Sequence, residues 1–597
     1  MKKTLIPFPA LGLLAATLLL TACGREEPLP KIDNALLAYV PSGTPYVAAN
    51  LERLPEPVAD AYLRRIQPVI DELQSQLAAA RLDLESGADG ETATGRPRDR
   101  LALAVLRELD GNLSREGLAS LGIDLLAERV VYGMGAFPVI RSGLADPDLL
   151  RATVQRILQN AGMASPEREF QGVSYWRLAP EDDEDVPVAL YVAILSDHLA
   201  VGMLPVRAEA DLLPAFLGIE QPAQSDAGRQ LAELNRQRGY TPYGSGILDL
   251  KRLADEFLQP GSLTARVMAD LGAYDPADIT PECVDEVHAI IDNAPRMTAG
   301  TTELTANALA YQYQLESPPT LAARLVDLVA RIPAAPTDSD RLMDFSFGLR
   351  TGAVRDFLRE KAQAIVDDPF RCEQLLALND RARQALEKLG QPMPPFVNNF
   401  RGLRVALDGV EFQKSGLPAG ARGHLALHVD QPQMFLGMAQ MFMPNLAELG
   451  LRVGEPPVRL PEDLYPVPGI VSYAAMTDEA IGVSLGAGEE ATLPDWLDAR
   501  PGPAGMFLSL DYDARAYLDL TDRFMGDFED AYRAMSEGDG DGASGDERYG
   551  ERHDGPDAVA QAAREAFRDM ADRSRTTLQF GPDGLIIDGR MTFQPQP

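Results

Sequence analysis

A serine and two histidines are the residues whose types and spacing come nearest to spelling out a reaction. Gly482-Val483-Ser484-Leu485-Gly486 fits the G-x-S-x-G pattern, in which a serine nucleophile is held on a tight turn between strand and helix for acyl transfer. A serine in that order needs a histidine after it, and the one that follows is His553, inside a Gly- and Asp-rich stretch. A glycine-rich strand end is therefore the expected identity of this motif, with a serine hydrolase using Ser484 as the less favoured alternative. His424 and His428 have the i, i+4 spacing of a helical metal pair. They alternate, however, with Leu425, Leu427 and Val429, which is a strand pattern, and four residues of strand span about 13 Å, too far to share one metal. Both are expected on the polar face of a sheet. Asp539, Asp541 and Asp546 suggest a calcium loop, but Ala543 and Ser544 fall where the pattern needs an oxygen ligand and a glycine, and Gly550 replaces the bidentate glutamate. With no P-loop, H-E-x-x-H, C-x-x-C or dinucleotide fingerprint in context, no catalytic residue, metal site or cofactor is expected.

Cys23 carries a stronger signal. The chain opens with Lys2 and Lys3, continues through an apolar run from Leu11 to Leu20, and reaches Leu20-Thr21-Ala22-Cys23 behind two small residues. This is the layout of a cleaved export signal, and the apolar run is short of the roughly 20 residues of a membrane span. The tetrad resembles the lipobox of bacterial lipoproteins. That resemblance implies a signal peptide over 1–22, a diacylated Cys23 whose new N-terminus takes a third acyl chain such as palmitate, and a lipidated tether over 23–35. At about 0.8 kcal/mol per buried methylene, three chains pass the two-signal threshold for stable anchoring. Gly24 stands where inner-membrane retention in that family usually uses an aspartate, so the resemblance implies an outer-membrane lipid anchor with the chain facing the periplasm. Pro28 and Pro30 lie in the polar stretch Gly24 to Asn34, whose extended reach is at most roughly 35 Å.

Composition sets the class of partner. The 597-residue chain has a net charge of -34 and 45% apolar residues, enough for several cores. Loss of Lys2 and Lys3 takes -34 to -36, a charge that repels nucleic-acid phosphates and anionic headgroups alike. No nucleic-acid partner is expected. Of the three cysteines, Cys283 and Cys372 remain once Cys23 is assigned to lipid, an even pair that suggests one disulfide in an oxidising compartment.

Along the chain, short apolar runs predict strands and longer periodic runs predict helices. Expected helices include Glu56 to Ala80 and a run from Pro147 to about Asn160 with Asp146 as N-cap. Expected strands include Val173 to Leu178, Val188 to Leu195 and Gly246 to Leu250, with a hairpin from Thr301 to Glu316. Residues Glu85 to Arg100 read as a loop and Glu537 to Gly555 as a disordered insertion. Much of this order recurs about 280 residues later. Leu144 to Pro147 corresponds to His428 to Pro432, Ser196-Asp197 to Thr477-Asp478, Ile247 to Leu250 to Phe507 to Leu510, and Thr301 to Leu309 to Thr577 to Leu585. The opening strand has a partner in Phe345 to Leu349. The expected fold is α+β: two tandem duplicated lobes, 36–318 and 319–597, each an antiparallel sheet covered on one face by helices.

One element breaks that internal symmetry. The segment from Met434 to Met443 carries Met434, Phe435, Leu436, Met438, Met441 and Phe442, apolar on more than one face, whereas its counterpart Leu149 to Leu158 shows Arg151, Gln155 and Arg156. Such a helix is either buried between lobes or exposed as a hydrophobic binding surface formed by Met434, Met438, Met441 and Phe442. The opening Val40-Pro41-Ser42-Gly43-Thr44-Pro45-Tyr46-Val47, with its recurring strand-then-helix units, resembles an uncharacterised family of exported bacterial proteins, from which no activity follows. The expectation is a non-enzymatic, membrane-anchored periplasmic lipoprotein that binds an envelope protein or other envelope component. A carrier of lipid or another hydrophobic ligand is the alternative.

Overall fold

Short apolar runs broken at Gly, Pro and Asp produce nineteen strands among the described residues, and the computed structural model joins all of them into one sheet. It describes residues 32–86, 97–162, 167–178, 188–222, 225–275, 278–337, 339–412, 418–520 and 554–595. Cys23 and its lipobox, and residues 537–553, with Asp539, Asp541, Asp546 and His553, lie outside the described residues. Overall the chain is 41% helical and 30% strand. Among the described residues, no helix is long and apolar enough to cross a membrane.

The first half supplies β1 (Tyr46–Ala49), β2 (Arg129–Met134), β3 (Phe137–Gly143), β4 (Glu167–Phe170), β5 (Val173–Leu178), β6 (Val188–Ile194), β7 (His198–Pro205), β8 (Ser245–Asp249), β9 (Arg296–Thr305) and β10 (Ala308–Glu316). The second supplies β11 (Met343–Gly348), β12 (Phe400–Phe412), β13 (Pro418–Val429), β14 (Val458–Arg459), β15 (Ser472–Met476), β16 (Ala480–Leu485), β17 (Met506–Asp513), β18 (Ala571–Gly581) and β19 (Gly584–Phe593). Hydrogen-bonded neighbours run β4-β5-β6-β7-β3-β2-β1-β8-β9-β10, then β19-β18-β17-β11-β12-β13-β16-β15-β14, every pair antiparallel.

Two separate sheets were the expectation, and the seam between β10 and β19 corrects it. The two strands pair without interruption from Ala308 opposite Thr592 to Glu316 opposite Gly584. Each ends a hairpin and would otherwise expose a row of unpaired backbone groups, so pairing them removes two open edges at once. Side chains reinforce the seam: Gln312 Nε2 donates to Asp588 Oδ1 at 2.8 Å, and Arg590 Nε donates to Glu303 Oε2 at 3.0 Å.

A second correction concerns cover. Helices pack on both faces of the sheet, because the strands toward its outer ends are apolar on both sides. In β6, Tyr191 and Ala193 join a core with Leu212, Phe216 and Leu231, while Ile194 and its neighbour Val192 pack with Leu150 and Leu158 on the opposite face. The helix Pro147–Asn160 behaves as its sequence predicts, with Asp146 accepting from the N–H groups of Asp148 and Leu149. Glu56 to Ala80 is instead two helices, Glu56–Arg65 and Gln67–Ser86. The expected loop ends early, since Pro97–Leu109 is helical.

Cross-half clasps involve the long connections. The helix Asp554–Met570 of the second half packs along Gln67–Ser86 of the first. Conversely, the helix Pro281–Ile291 of the first half meets the turn between the second-half helices Thr351–Asp367 and Leu376–Leu389. There Cys283 and Cys372 form a disulfide, with Cα atoms 4.7 Å apart, and the Cys372 N–H donates to Glu286 Oε2 at 3.0 Å.

A polar node fixes β5 and β6 to the helix above them. Glu209, in the first turn of Glu209–Phe216, accepts from Tyr175 Oη at 2.6 Å, Arg177 Nη1 at 2.8 Å and Tyr191 Oη at 3.1 Å. Burial works to raise its pKa, but these three donors hold the carboxyl below its ordinary value. Hydrogen bonds to a charged acceptor each contribute about 1.5–3 kcal/mol. Glu209→Gln should therefore lower unfolding free energy by about 2 kcal/mol in denaturant titration at neutral pH; an unchanged midpoint would show the node to be dispensable.

Candidate functional site

The helix Pro432–Phe442 follows β13 directly, with Pro432 at its first turn and a backbone bond from the Met443 N–H to the Ala439 carbonyl at its end. Its inward side is Leu436, which packs with Leu451, Leu460, Ala474 and Met476. At about 100° per residue, Met434, Met438 and Met441 share the opposite side with Phe442 beside them. The structure leaves that side in solvent: Met434 is 41% exposed, Met441 80% and Phe442 84%, with Met443 beyond at 47%. Met438 is half-buried. No charged side chain occurs from Gln431 to Ala447, although the chain carries a net charge of -34. The exposed segment is thus apolar and free of charge in itself, with carboxylates at its borders: Asp430 and Glu448 flank it, and Asp463 accepts from Asn445 at 2.8 Å.

Ser484 lies elsewhere, next to the end of β16 and opposite His424 of β13, with Gly486 at φ 92° just beyond, so the motif is the glycine-rich strand end expected of it. It is wholly buried, and neither its hydroxyl nor His424 Nδ1 has a hydrogen-bond partner, so the two do not form a nucleophile–base pair. His424 instead stacks on Trp496 with ring centroids 5.2 Å apart and donates from Nε2 to the Glu489 carbonyl at 3.0 Å. His428 is 3% exposed. The expected polar face is therefore a covered one, because the helix Leu493–Leu497 and the stretch before it close over β13 and β16. Burial, with the Arg404 charge nearby, pushes His428 down to about 4, and burial lowers His424 as well. Among the described residues no three His, Cys, Asp or Glu side chains form a group able to hold a metal ion.

Buried arginines are what inspection of the sequence missed. Arg141 is fully buried and donates to Tyr132 Oη, to His198 Nε2 at 2.7 Å and to the carbonyls of Ala215 and Phe216 at a helix C-terminus. Arg404 donates to the Trp496 carbonyl at 2.8 Å and lies over the Trp496 ring at 4.1 Å. Burial pushes Arg404 down to about 10, which leaves it charged at neutral pH. Each arginine thus satisfies last-turn carbonyls of a short helix, where the helix dipole favours a cation. A lone arginine inside an apolar run, as in Val139-Ile140-Arg141 and Leu403-Arg404-Val405, was the available signal.

A cleft of about 250 Å³ opens beside the Pro41–Pro45 turn. Its charged groups are already engaged: Arg296 with Glu316 at 2.7 Å, Arg252 with Asp249 at 3.3 Å, and Asp226 with Gln230 at 2.7 Å. Thr44 in the same turn donates to the Gly133 carbonyl of β2 at 2.9 Å, and Tyr46 Oη of β1 donates to the Ala136 carbonyl in the turn between β2 and β3 at 3.2 Å. The Val40–Val47 motif has a structural role here.

No family model, curated protein or solved structure matches this chain. The Met434–Phe442 side carries the two most exposed large apolar side chains among the described residues.

Proposed function

We propose that the chain is a non-enzymatic lipoprotein, acylated at Cys23 and held on the periplasmic side of the outer membrane, which binds an envelope component through the apolar end of the helix Pro432–Phe442. One observation carries the binding surface: Met441 and Phe442 stand 80% and 84% exposed in a charge-free segment of an acidic chain. Large side chains left in water at one place forgo about 1.5–3 kcal/mol each that a partner would recover. A carrier would turn these groups inward around its ligand. Here they project outward, which favours contact over containment. The hydrolase alternative requires an accessible Ser484, and that hydroxyl is sealed.

Mass spectrometry of the mature protein should find three acyl chains on Cys23, and an unmodified thiol there would end the lipoprotein assignment. In living cells, a photo-crosslinking residue at position 442 should capture an envelope component, while the same group at Arg229, which is 82% exposed, should not. Equal capture from both positions would remove the binding role of the helix.

We further infer that the chain arose by internal duplication. In support, β5-β6-β7-β3-β2-β1-β8-β9-β10 and β14-β15-β16-β13-β12-β11-β17-β18-β19 follow the same order of antiparallel pairings. The sequence correspondences fall on matching elements: Ile247 and Phe507 on β8 and β17, and the hairpin turns at Ala306 and Pro582 between β9–β10 and β18–β19. The two copies then meet as an isologous pair through β10 and β19, the same edge used twice.

A further inference from the structure

We infer that the partner of the Met434–Phe442 surface is the bilayer itself: the end of this helix seats in the interfacial layer of a membrane with zwitterionic headgroups, giving an anchored protein a second point of membrane contact. This rests on the Cys23 anchor proposed above and names the partner class for the exposed helix. Three observations point to lipid.

The first is shape. Met441 and Phe442 occupy the last turn of the helix, and Pro444 then turns the chain away, so the two most exposed large apolar side chains among the described residues form a protruding end. A soft interface accepts a convex apolar end without a matching cavity, and methionine and phenylalanine are both suited to the acyl boundary.

The second is charge. Gln431 to Ala447 carries no charged side chain, while the chain as a whole stands at -34. An anionic surface would repel the whole protein, so an approach to lipid must be made through an uncharged end and toward headgroups without net charge.

The third is placement. The first described residues meet the sheet at the end of β1, where Asp33 N–H donates to the Leu51 carbonyl and Asn34 Nδ2 to the Asn50 carbonyl. The Met434 helix leaves the sheet at the end of β13. In an untwisted sheet those two rims would face opposite ways, since β1 and β13 run antiparallel. Between them lie nine steps, β1-β8-β9-β10-β19-β18-β17-β11-β12-β13. A sheet twist of about 20–25° per step would accumulate over nine steps to roughly 180–225°, enough to bring the two rims toward one side. With that twist the tether and helix end would address the same plane, and the anchor would supply the effective concentration that a small apolar contact needs.

The test uses the chain from Gly24 onward, which lacks acyl groups, with Phe442→Trp as reporter and vesicles of phosphatidylcholine at millimolar lipid. The difference in emission between this variant and the native chain isolates the introduced indole from Trp176 and Trp496, and that emission should move to shorter wavelength on addition of vesicles. Met441→Ser/Phe442→Ser, at two solvent-exposed positions, should cut the vesicle-bound fraction roughly ten-fold or more. Replacing part of the phosphatidylcholine by phosphatidylglycerol should weaken binding. Unchanged emission from the introduced indole, unchanged binding of the double variant, or stronger binding to the anionic vesicles would each overturn the inference. Exclusive crosslinking of position 442 to a protein in cells would do so as well. If acylated chain floats with vesicles while the indole stays silent, the anchor stands and the second contact falls; if Cys23 proves unmodified and the indole responds, the second contact stands alone.

Discussion

Lowering the pH from about 6.5 to about 4 should destabilise this protein by about 3 kcal/mol through His428 alone, with about 2 kcal/mol of that loss already present at about pH 5. The ring is 3% exposed on β13, and burial beside Arg404 pushes its pKa down to about 4, against about 6.5 in the unfolded chain. The sign follows from which state binds the proton. Above about pH 6.5 both states hold a neutral ring, and the stability is complete. Below it the unfolded chain takes up a proton that the fold refuses, so stability falls until the folded ring itself protonates at about 4. His424 and His198 are also lowered by burial and add in the same direction. Asp511 acts oppositely: burial raises its pKa against the pull of Arg573 and Arg575, so its protonation relieves the fold at the acid end. Urea titrations at about pH 7.5, 6.0 and 5.0 on the native chain and on His428→Leu decide the matter. The variant should lose about one proton's worth of slope, about 1.4 kcal/mol per pH unit, between about pH 6 and 5. Parallel curves would show that His428 titrates in the fold as it does in the unfolded chain.

Removal of the Cys283–Cys372 disulfide should cost about 4 to 5 kcal/mol, the loop-entropy value for a sequence separation of 89 residues. The bridge ties the helix Pro281–Ile291 to the turn ahead of Leu376–Leu389, and many residues of the two helices flanking that turn are exposed, with Leu358 and Leu376 at 48% and 47%. Few apolar contacts hold this hairpin, so it depends on the covalent link more than a core helix would. Cys283→Ser/Cys372→Ser should fold, because Glu286 still accepts from the N–H groups of residues 371 and 372, but its denaturant midpoint should fall, with a slope no smaller than the native one because the freed unfolded chain exposes more surface. Reductant should bring the native chain to the same midpoint. A midpoint indifferent to both changes would mean that the bridge contributes no stability.

Some elements were legible because local chemistry decides them. Asp146-Pro147 starts a helix since a carboxylate caps it and proline fits the first turn. The hairpin of β9 and β10 turns at Ala306 and Asn307 between two alternating runs. The pairing of Cys283 with Cys372 followed from parity. Other features were illegible because they depend on what packs over a residue. His424 and His428 alternate with leucines as polar-face residues would, and only the Leu493–Leu497 helix makes that face interior. Two strands toward the sheet's outer end, β6 and β7, need cover on both sides, which a period of two cannot announce when both sides are apolar.

By itself the sequence determined most of the strand and helix inventory and the parity that pairs Cys283 with Cys372, because each is written in short-range pattern or simple count. Tertiary structure alone decided that β10 and β19 close the two halves into one sheet, that Ser484 is sealed, and that Met441 and Phe442 face solvent. Those outcomes turn on which surfaces meet, and an apolar side chain is spelled the same way whether a neighbour covers it or water does.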